Sequence, residues 1–417
     1  MKTYIFIFVL CFTFVSCDFS RSYNSEEWPP YTTNIAWDSG IYSNYYFSHI
    51  VDDDYVYFYE RPPGYTTVNI YTLTKLDART GEFIWRAKPM FSNIIICPPV
   101  AVGGHIYVFL EDSGFICFDK ESGKHTATVE VKVNNEKFVR MTGTPVVYDQ
   151  YLYMCIWDRI GSYFNRIDVN TVNHEDAGSP QFFKPEIIWE PKSVPRAKPV
   201  VHNNTIYTAT WSEYDPVEFA GFDLNTKQMV FYETFGGPDG TIFPEKGGYV
   251  NPIFINGDTL YYLNYFLSAW NINTGKLLFR HVFTWHHSDN SHDYSAPSLN
   301  QAVYYQEKIY YSSKANDALG FRNIHCINAK TGKPVWNTIA KGSVTLDSNV
   351  IINRDRLYIA QHQGFFVYNP ANGKLIGVDR SFYGADAGSN VLYNDYMICV
   401  RKDNGWEGKL VAVYVGK

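Results

Sequence analysis

The chain alternates short apolar stretches with polar turns along most of its length. A polar pair, an apolar residue and a tyrosine recur in that order seven times, at Tyr57, Tyr107, Tyr153, Tyr207, Tyr261, Tyr310 and Tyr358. An eighth copy, YNDYMICV, has Met397 in that place. Alternating polarity with many β-branched and aromatic residues predicts strands, whereas no segment keeps a helical period. The pattern therefore predicts an all-β protein.

A turn motif follows each tyrosine strand. In LDARTGEFIW, residues 76–85, an aspartate begins a tight turn that a glycine ends, and another strand follows. Asp or Asn bonds the backbone ahead of it, and Gly adopts the positive φ that closes such a turn. Related segments place the leading Asp or Asn at 77, 119, 168, 223, 271, 328 and 369, with spacings of 42, 49, 55, 48, 57 and 41. A period of this length indicates a repeat architecture.

Eight such units make a β-propeller the expected architecture. Four-stranded units of this length cannot each bury both faces alone, and radial stacking leaves few exposed edges. We therefore predict an eight-bladed propeller of four-stranded antiparallel blades over residues 32–417. The last unit lacks a fourth strand after Tyr414, and TTNIAWDS at residues 32–39 lacks a partner. We predict that this N-terminal strand closes the eighth blade and that its deletion destabilises the whole ring.

The first 16 residues are typical of a signal peptide. One lysine precedes an apolar run from Tyr4 to Val15, which is too short to span a membrane. FVSC, which ends at Cys17, resembles the lipobox of bacterial lipoproteins, and this resemblance implies acylation of Cys17. Polar residues up to position 31 then form an expected tether. The alternative is cleavage by ordinary signal peptidase, which leaves Cys17 as a free thiol.

Charge and cysteine content narrow the function classes. The chain has 36 basic and 42 acidic residues, for a formal net charge of −6, and no basic run interleaved with aromatics. Nucleic acid is therefore not an expected partner. Five cysteines lie singly in strand-like segments: Cys97, Cys117, Cys155, Cys326 and Cys399. We expect them to be small buried residues, and the sequence leaves any disulfide pairing open.

Two of the turns are followed by a tryptophan. DARTGEFIW carries Trp85 and NAKTGKPVW carries Trp336, while Phe279 takes that place in NINTGKLLF. This motif resembles the repeat of the pyrroloquinoline-quinone (PQQ)-like β-propellers, in which the aromatic residue docks onto the neighbouring blade. The family contains quinoprotein dehydrogenases and non-catalytic lipoproteins similar to lipoprotein B of the outer-membrane β-barrel assembly machinery. The dehydrogenases' adjacent cysteine pair is absent, and no motif here matches their Ca²⁺ ligands or catalytic aspartate, so no cofactor is expected.

Long connections concentrate on one face of the predicted ring, where second strands lead to third strands and each blade leads to the next. Long loops in a compact repeat usually carry function. One long connection, residues 169–186, lies on the opposite face instead. The candidate partner-binding aromatics are Trp211, Tyr214, Phe243, Phe382, Tyr383 and Trp406. The alternative is that these side chains pack the loops onto the blades.

One loop concentrates imidazole and carboxylate groups. HHSDNSHD supplies the candidate metal ligands His286, His287, Asp289, His292 and Asp293. Such groups could bind Zn²⁺ or Mn²⁺ or provide a general base, although residues of this kind also serve as turn formers. By comparison with propeller polysaccharide lyases, His292, Tyr294 and Arg322 are the trio to test.

The sequence thus favours a lipid-anchored, non-catalytic scaffold subunit that binds an outer-membrane protein or protein complex. The side of the outer membrane on which the body lies is left open. A polysaccharide-binding or polysaccharide-degrading propeller that uses the histidine-rich loop is the alternative. A quinoprotein dehydrogenase is a third possibility, which the missing cysteine pair disfavours.

Overall fold

The computed structural model describes most of the chain from residue 29 onward. The described residues are 29–44, 49–60, 70–88, 91–92, 97–110, 114–133, 140–158, 161–192, 194–195, 197–211, 217–235, 253–263, 266–282, 285–286, 292–293, 302–314, 322–340, 347–348, 350–361, 364–382, 387–388, 390–404 and 407–416. They form an eight-bladed β-propeller of four-stranded antiparallel blades, as the repeat predicts. The helical content of these residues is a single 3₁₀ turn, Val169–Thr171.

Each blade runs from an inner strand to an outer strand in chain order. The first four blades are Ile50–Asp52, Tyr55–Glu60, Ile70–Asp77 and Phe83–Arg86; Val100–Val102, His105–Leu110, Gly114–Asp119 and His125–Val131; Val146–Tyr148, Tyr151–Trp157, Ser162–Asp168 and Glu186–Trp189; and Val200–His202, Thr205–Trp211, Val217–Asp223 and Met229–Phe235.

Blades five to seven repeat this order, and the eighth takes its outer strand from the start of the chain. They are Ile253–Asn256, Thr259–Leu263, Phe266–Asn271 and Leu277–Val282; Val303–Tyr305, Lys308–Lys314, Arg322–Asn328 and Pro334–Ala340; Ile351–Asn353, Arg356–Gln361, Gly364–Tyr368 and Leu375–Asp379; and Val391–Tyr393, Tyr396–Asn404, Glu407–Tyr414 and Ile35–Asn44. Short additional strands are Phe91–Ser92, Arg140–Met141, Gln181–Phe183, Val194–Pro195, Trp285–His286, His292–Asp293, Asp347–Ser348 and Ala387–Gly388.

The two ends of the chain close the ring. Ile35–Asn44 pairs antiparallel with Glu407–Tyr414, with Trp37 opposite Ala412 and Asp38 opposite Val411. The predicted closure by the N-terminal strand is therefore confirmed. Trp37 also donates its indole N–H to the carbonyl of Ala78 in blade one at 3.1 Å. This strand consequently completes blade eight and joins it to blade one.

Two outer strands carry an extra extended segment that runs parallel to them. Gln181–Phe183 adds a fifth strand to blade two by pairing with His125–Val131. On blade seven, Pro30 bridges Val378 in the parallel sense, and the Tyr31 N–H donates to the Val378 carbonyl at 3.0 Å. Outer strands of this fold therefore accept a parallel segment along the edge that faces away from the axis.

The core lies between blades. Among the described residues, eight hydrophobic clusters each span one pair of neighbouring blades, including the pair formed by blades eight and one. The five scattered cysteines are buried free thiols within these blades, as predicted. Burial raises the pKa of Cys97, Cys155 and Cys399 to about 12. The apolar surface of each blade is thus buried mainly by its neighbours, which makes the ring the unit of stability.

Trp37→Ala should destabilise the whole propeller, because it removes a buried indole and its hydrogen bond to blade one. We expect a loss of about 3 to 5 kcal/mol in the free energy of unfolding, measured by urea denaturation. Tyr42→Ala, on the same strand but 36% exposed, is the matched control and should cost about 1 kcal/mol or less. Equal losses for the two variants would contradict a closing role for Trp37.

Candidate functional site

The propeller has two faces with different chemistry. The turn face is formed by the hairpins that join first to second and third to fourth strands in each blade. Its repeated turns have the predicted geometry: in blade one, Asp77 Oδ1 accepts hydrogen bonds from the backbone N–H groups of Arg79 and Thr80, both at 2.8 Å. Asn328 does the same in blade six, for Lys330 at 3.0 Å and Thr331 at 2.9 Å. The repeated Asp or Asn therefore fixes the turn.

The turn geometry, which is repeated from blade to blade, creates a binding position for an aromatic side chain of the preceding blade. Trp85 donates to the Lys120 carbonyl at 3.3 Å, and Trp336 donates to the Pro370 carbonyl at 2.9 Å. Phe279 packs against Gly332 without a hydrogen bond to offer. The three residues singled out from the sequence thus lie at blade junctions.

Trp37 makes the same contact at the junction of blades eight and one. Sequence reasoning did not assign it this role, because its strand precedes the first repeat and has no turn motif in front of it. The signal that could have revealed it is the spacing: NIAW places a tryptophan at the end of a short apolar segment, as EFIW does before Trp85.

The recurring tyrosines have a related function. Three of them donate their hydroxyl hydrogen to a backbone carbonyl of the next blade: Tyr261 to Ala329 at 3.2 Å, Tyr310 to Pro370 at 3.1 Å and Tyr358 to Val415 at 3.0 Å. Burial raises the pKa of Tyr358 to about 12, which keeps its hydroxyl protonated as a donor. The tyrosine marker in the sequence is therefore a marker of blade junctions.

Charged groups near the axis on the turn face pair with one another. Lys120 of blade two contacts Asp52 at 2.5 Å and Asp53 at 2.7 Å in blade one, and Arg354 of blade seven contacts Asp395 of blade eight at 2.9 Å. Exposed pairs of this kind contribute little to stability individually. Their consequence here is that these charges are neutralised within the chain.

The loop face is the opposite face, and most of its predicted aromatic anchors lie outside the described residues. This is so for Tyr214, Phe243, Tyr383 and Trp406. Trp211 ends the second strand of blade four, where its backbone pairs with Val194.

Phe382, a predicted partner-binding residue, is instead part of the core. Its ring is only 1% exposed and packs edge-on against Phe365 at a centroid distance of 5.4 Å. It also belongs to the hydrophobic cluster between blades seven and eight. A side chain used in this way is unavailable to a partner. For Phe382, the packing alternative is the right one.

Part of the histidine-rich loop forms a small hairpin. The register places His286 directly opposite His292, and Trp285 opposite Asp293. Three of the five candidate ligands are thereby brought together by the backbone, whereas His287 and Asp289 lie outside the described residues. No group of three or more His, Cys, Asp or Glu side chains suited to a metal ion occurs in the part of the chain that the structure describes.

Two strongly perturbed histidines, His49 and His325, are buried in the packing of the blades. Burial lowers the pKa of His325 to about 3, with a smaller contribution from the charge of His281. Burial likewise lowers the pKa of His49 to about 4; its Nε2 lies 3.1 Å from the Ile398 carbonyl of blade eight. Because both folded-state pKa values fall below the ordinary value, their contribution to stability is present above about pH 6.5 and is lost as the pH falls. The cause of these shifts is packing.

Comparison with known proteins supports the fold and the repeat. Residues 49–156 match a PQQ-repeat family model described as outer membrane protein assembly factor BamB, which confirms the resemblance over that part of the chain. No curated protein matches the sequence. In the part of the chain that the structure describes, no helix has the length and hydropathy needed to cross a bilayer.

Solved structures with a similar fold include an enzyme and a designed protein. The quinohemoprotein alcohol dehydrogenase of Comamonas testosteroni is 12% identical with a TM-score of 0.63, covering 92% of this chain and 76% of its own. The computationally designed protein Ika8 is 10% identical with a TM-score of 0.61, covering 91% and 99%. Sqt1 of Saccharomyces cerevisiae is 11% identical with a TM-score of 0.55, covering 92% and 100%. Such identities show the fold and leave the function to the chain's own residues.

Gly332→Ala tests whether the turn and the aromatic ring are coupled across the blade junction. Gly332 has φ +69°, and a Cβ there would lie 2.3 Å from Cδ2 of Phe279; Gly275 has φ +66° with no atom within 4 Å of that position. Gly275→Ala should therefore cost about 1 to 2 kcal/mol from backbone strain alone. Gly332→Ala should cost a further ~1 to 3 kcal/mol by displacing Phe279, measured from urea unfolding curves. Similar losses would show that the contact is loose.

Proposed function

We propose that this chain is a non-catalytic scaffold subunit of an outer-membrane protein complex, anchored through an acylated Cys17. In this proposal the ring holds the loop face rigidly against the part of a membrane-protein partner that extends outside the bilayer. The observation that carries the proposal is the match of residues 49–156 to the outer membrane protein assembly factor model. Lipid anchoring would raise the local concentration of the ring at the bilayer and so strengthen partner binding without any new contact.

The construction of the blades supports display rather than chemistry. Side chains whose pKa values are shifted strongly, such as those of His49, His325 and the buried cysteines, pack within and between the blades. Aromatic donors at the junctions are likewise committed to carbonyls of the next blade. A ring fixed at its junctions can present loops with little loss of conformational entropy on binding, which favours a binding surface.

The quinoprotein alternative fits these residues poorly. The family's dehydrogenases use an adjacent cysteine pair, whereas the cysteines here are separated in the sequence and those described are buried as free thiols. No sequence motif here matches the Ca²⁺ ligands or the catalytic aspartate of those dehydrogenases. We accordingly propose that the chain functions without PQQ.

Partner recovery tests the scaffold proposal directly. We expect mild-detergent purification of the tagged full chain from native membranes to recover a β-barrel or transporter in a stoichiometric amount, identified by mass spectrometry. Trp406→Ala combined with Tyr383→Ala should reduce that recovery at least tenfold, since buried aromatic anchors dominate interface energies. Phe83→Ala, an exposed aromatic on the turn-face side of blade one, is the control and should leave recovery unchanged. Recovery of the propeller alone would overturn the proposal.

A glycan-active or metal-dependent function is the second candidate. It is favoured by the pairing of His286 with His292, which places two potential ligands directly opposite each other in an antiparallel ribbon. On this proposal the hairpin, with Tyr294 and Arg322, would contact a polysaccharide on the loop face.

Metal content separates the two candidates. If the second is right, the purified full chain should contain about one Zn²⁺ or Mn²⁺ per molecule by elemental analysis. His292→Ala should then lower occupancy at least tenfold, while His202→Ala, in the inner strand of blade four, should leave it unchanged. A chain without metal that also binds no glycan would eliminate this candidate.

A further inference from the structure

We propose that the outer rim of the turn face on blades five, six and seven rests on the membrane surface, so that the loop face points away from the bilayer. The contact is formed by three short segments, residues 276–278, 333–335 and 374–376, called here the lysine–apolar rim. The inference rests on the membrane tether of the proposed function and adds an orientation to it.

Each segment of the lysine–apolar rim has the same composition. A lysine follows the glycine of the turn, and apolar residues follow the lysine at the start of the outer strand. Among the apolar side chains, Leu277 is 40% exposed, Leu278 49%, Val335 45% and Ile376 38%. The three lysines, Lys276, Lys333 and Lys374, are exposed and form no ion pair with any residue that the structure describes.

This composition matches a lipid surface that carries anionic headgroups. Lysines attract phosphates, and adjacent apolar side chains enter the boundary between headgroups and acyl chains. Three consecutive blades repeat the pattern, which produces a continuous arc along the rim.

Other blades differ at the same positions. Blade one exposes Phe83 and Ile84 but has Glu82 in place of the lysine, and blade two has Lys124 followed by His125 and Thr126. Blade four exposes Met229 and Val230 after Gln228. The combination of lysine and exposed apolar residues is therefore confined to one side of the ring among these blades.

The first described residues of the chain lie on blade seven, which also carries one segment of the rim. Pro30 bridges Val378 in the parallel sense, so the N-terminal segment runs along the outer strand Leu375–Asp379 in that strand's own direction. That strand starts at the turn face, immediately after the turn at Asn369–Gly373. The chain consequently enters the described part of the fold from the turn-face side of blade seven, at one end of the lysine–apolar rim.

The length of the tether limits the distance between blade seven and the bilayer. Pro29 lies 12 residues after Cys17, and a segment of that length reaches roughly 40 Å when fully extended. An acylated Cys17 therefore keeps blade seven near the bilayer. The formal net charge of −6 opposes long-range attraction to an anionic membrane, so the contact depends on the tether and on these local lysines.

Fluorescence in proteoliposomes tests the orientation. The full lipidated chain is reconstituted in vesicles of phosphatidylethanolamine and phosphatidylglycerol, with an environment-sensitive dye on Leu278→Cys or, as the matched control, on Ile84→Cys. Background labelling is low because the five described cysteines are buried. We expect a blue shift and quenching by headgroup-proximal nitroxide lipid at position 278, at least fivefold stronger than at position 84.

Charge reversal identifies the lipid contribution. Lys276→Glu, Lys333→Glu and Lys374→Glu combined should abolish the quenching at position 278, since each lysine near an anionic surface contributes about fivefold to binding. Lys124→Glu, at the equivalent turn position of blade two, should leave it intact.

Three results would overturn the inference. Equal quenching at positions 278 and 84 would mean that the ring has no fixed orientation. A dye response seen in native membranes but absent in pure lipid would assign the rim to a protein partner. A chain that does not float with the vesicles would show that there is no tether. Normal partner recovery through the loop face would leave the scaffold proposal standing in the first two cases. In the third case it would leave the scaffold role standing and remove the lipid anchor, so the failures are distinguishable.

Discussion

The structure depends on one recurring interaction, in which an aromatic or phenolic donor of one blade binds a turn carbonyl of the next. Trp336 and Tyr310 of blade six converge on the same carbonyl of Pro370 in blade seven. Each such bond gives a buried donor and a buried carbonyl oxygen a hydrogen-bond partner. It also fixes the distance between two neighbouring sheets. Because a blade cannot bury its own faces, the stability of every blade is determined at its two junctions.

This organisation explains which parts of the sequence are constrained and which are free. The turn face carries the junction chemistry, so its turns are short and similar in most blades, with the connection 169–186 of blade three as the exception. The loop face carries no equivalent requirement, and there the connections differ in length and composition. The two faces therefore divide structural and recognition tasks, and the lysine–apolar rim marks the boundary between them on blades five to seven.

Much of the fold could be predicted from the sequence because local rules and global architecture agree. The Asp or Asn of each turn, the glycine that closes it and the tyrosine of the second strand are all short-range signals with long-range partners. The parallel segments at 29–31 and 181–183 could not be predicted in the same way, because their partners lie on other blades and no local pattern identifies them. The docking role of Trp37 had only a weak local signal, the apolar segment NIAW, because no turn motif precedes it. Phe382 shows a second limit of prediction from sequence. The sequence shows an aromatic residue in a loop, but only its packing against Phe365 shows that the ring faces inward.

Closure by the two chain ends has a consequence for biogenesis. The outer strand of blade eight, Ile35–Asn44, is among the first folded segments to be synthesised, whereas its partner Glu407–Tyr414 is among the last. Loop closure over such a separation is slow, and the ring cannot be completed until the final strand is available. The ring therefore becomes fully cooperative only once Glu407–Tyr414 has been synthesised, and every other described strand is made before it.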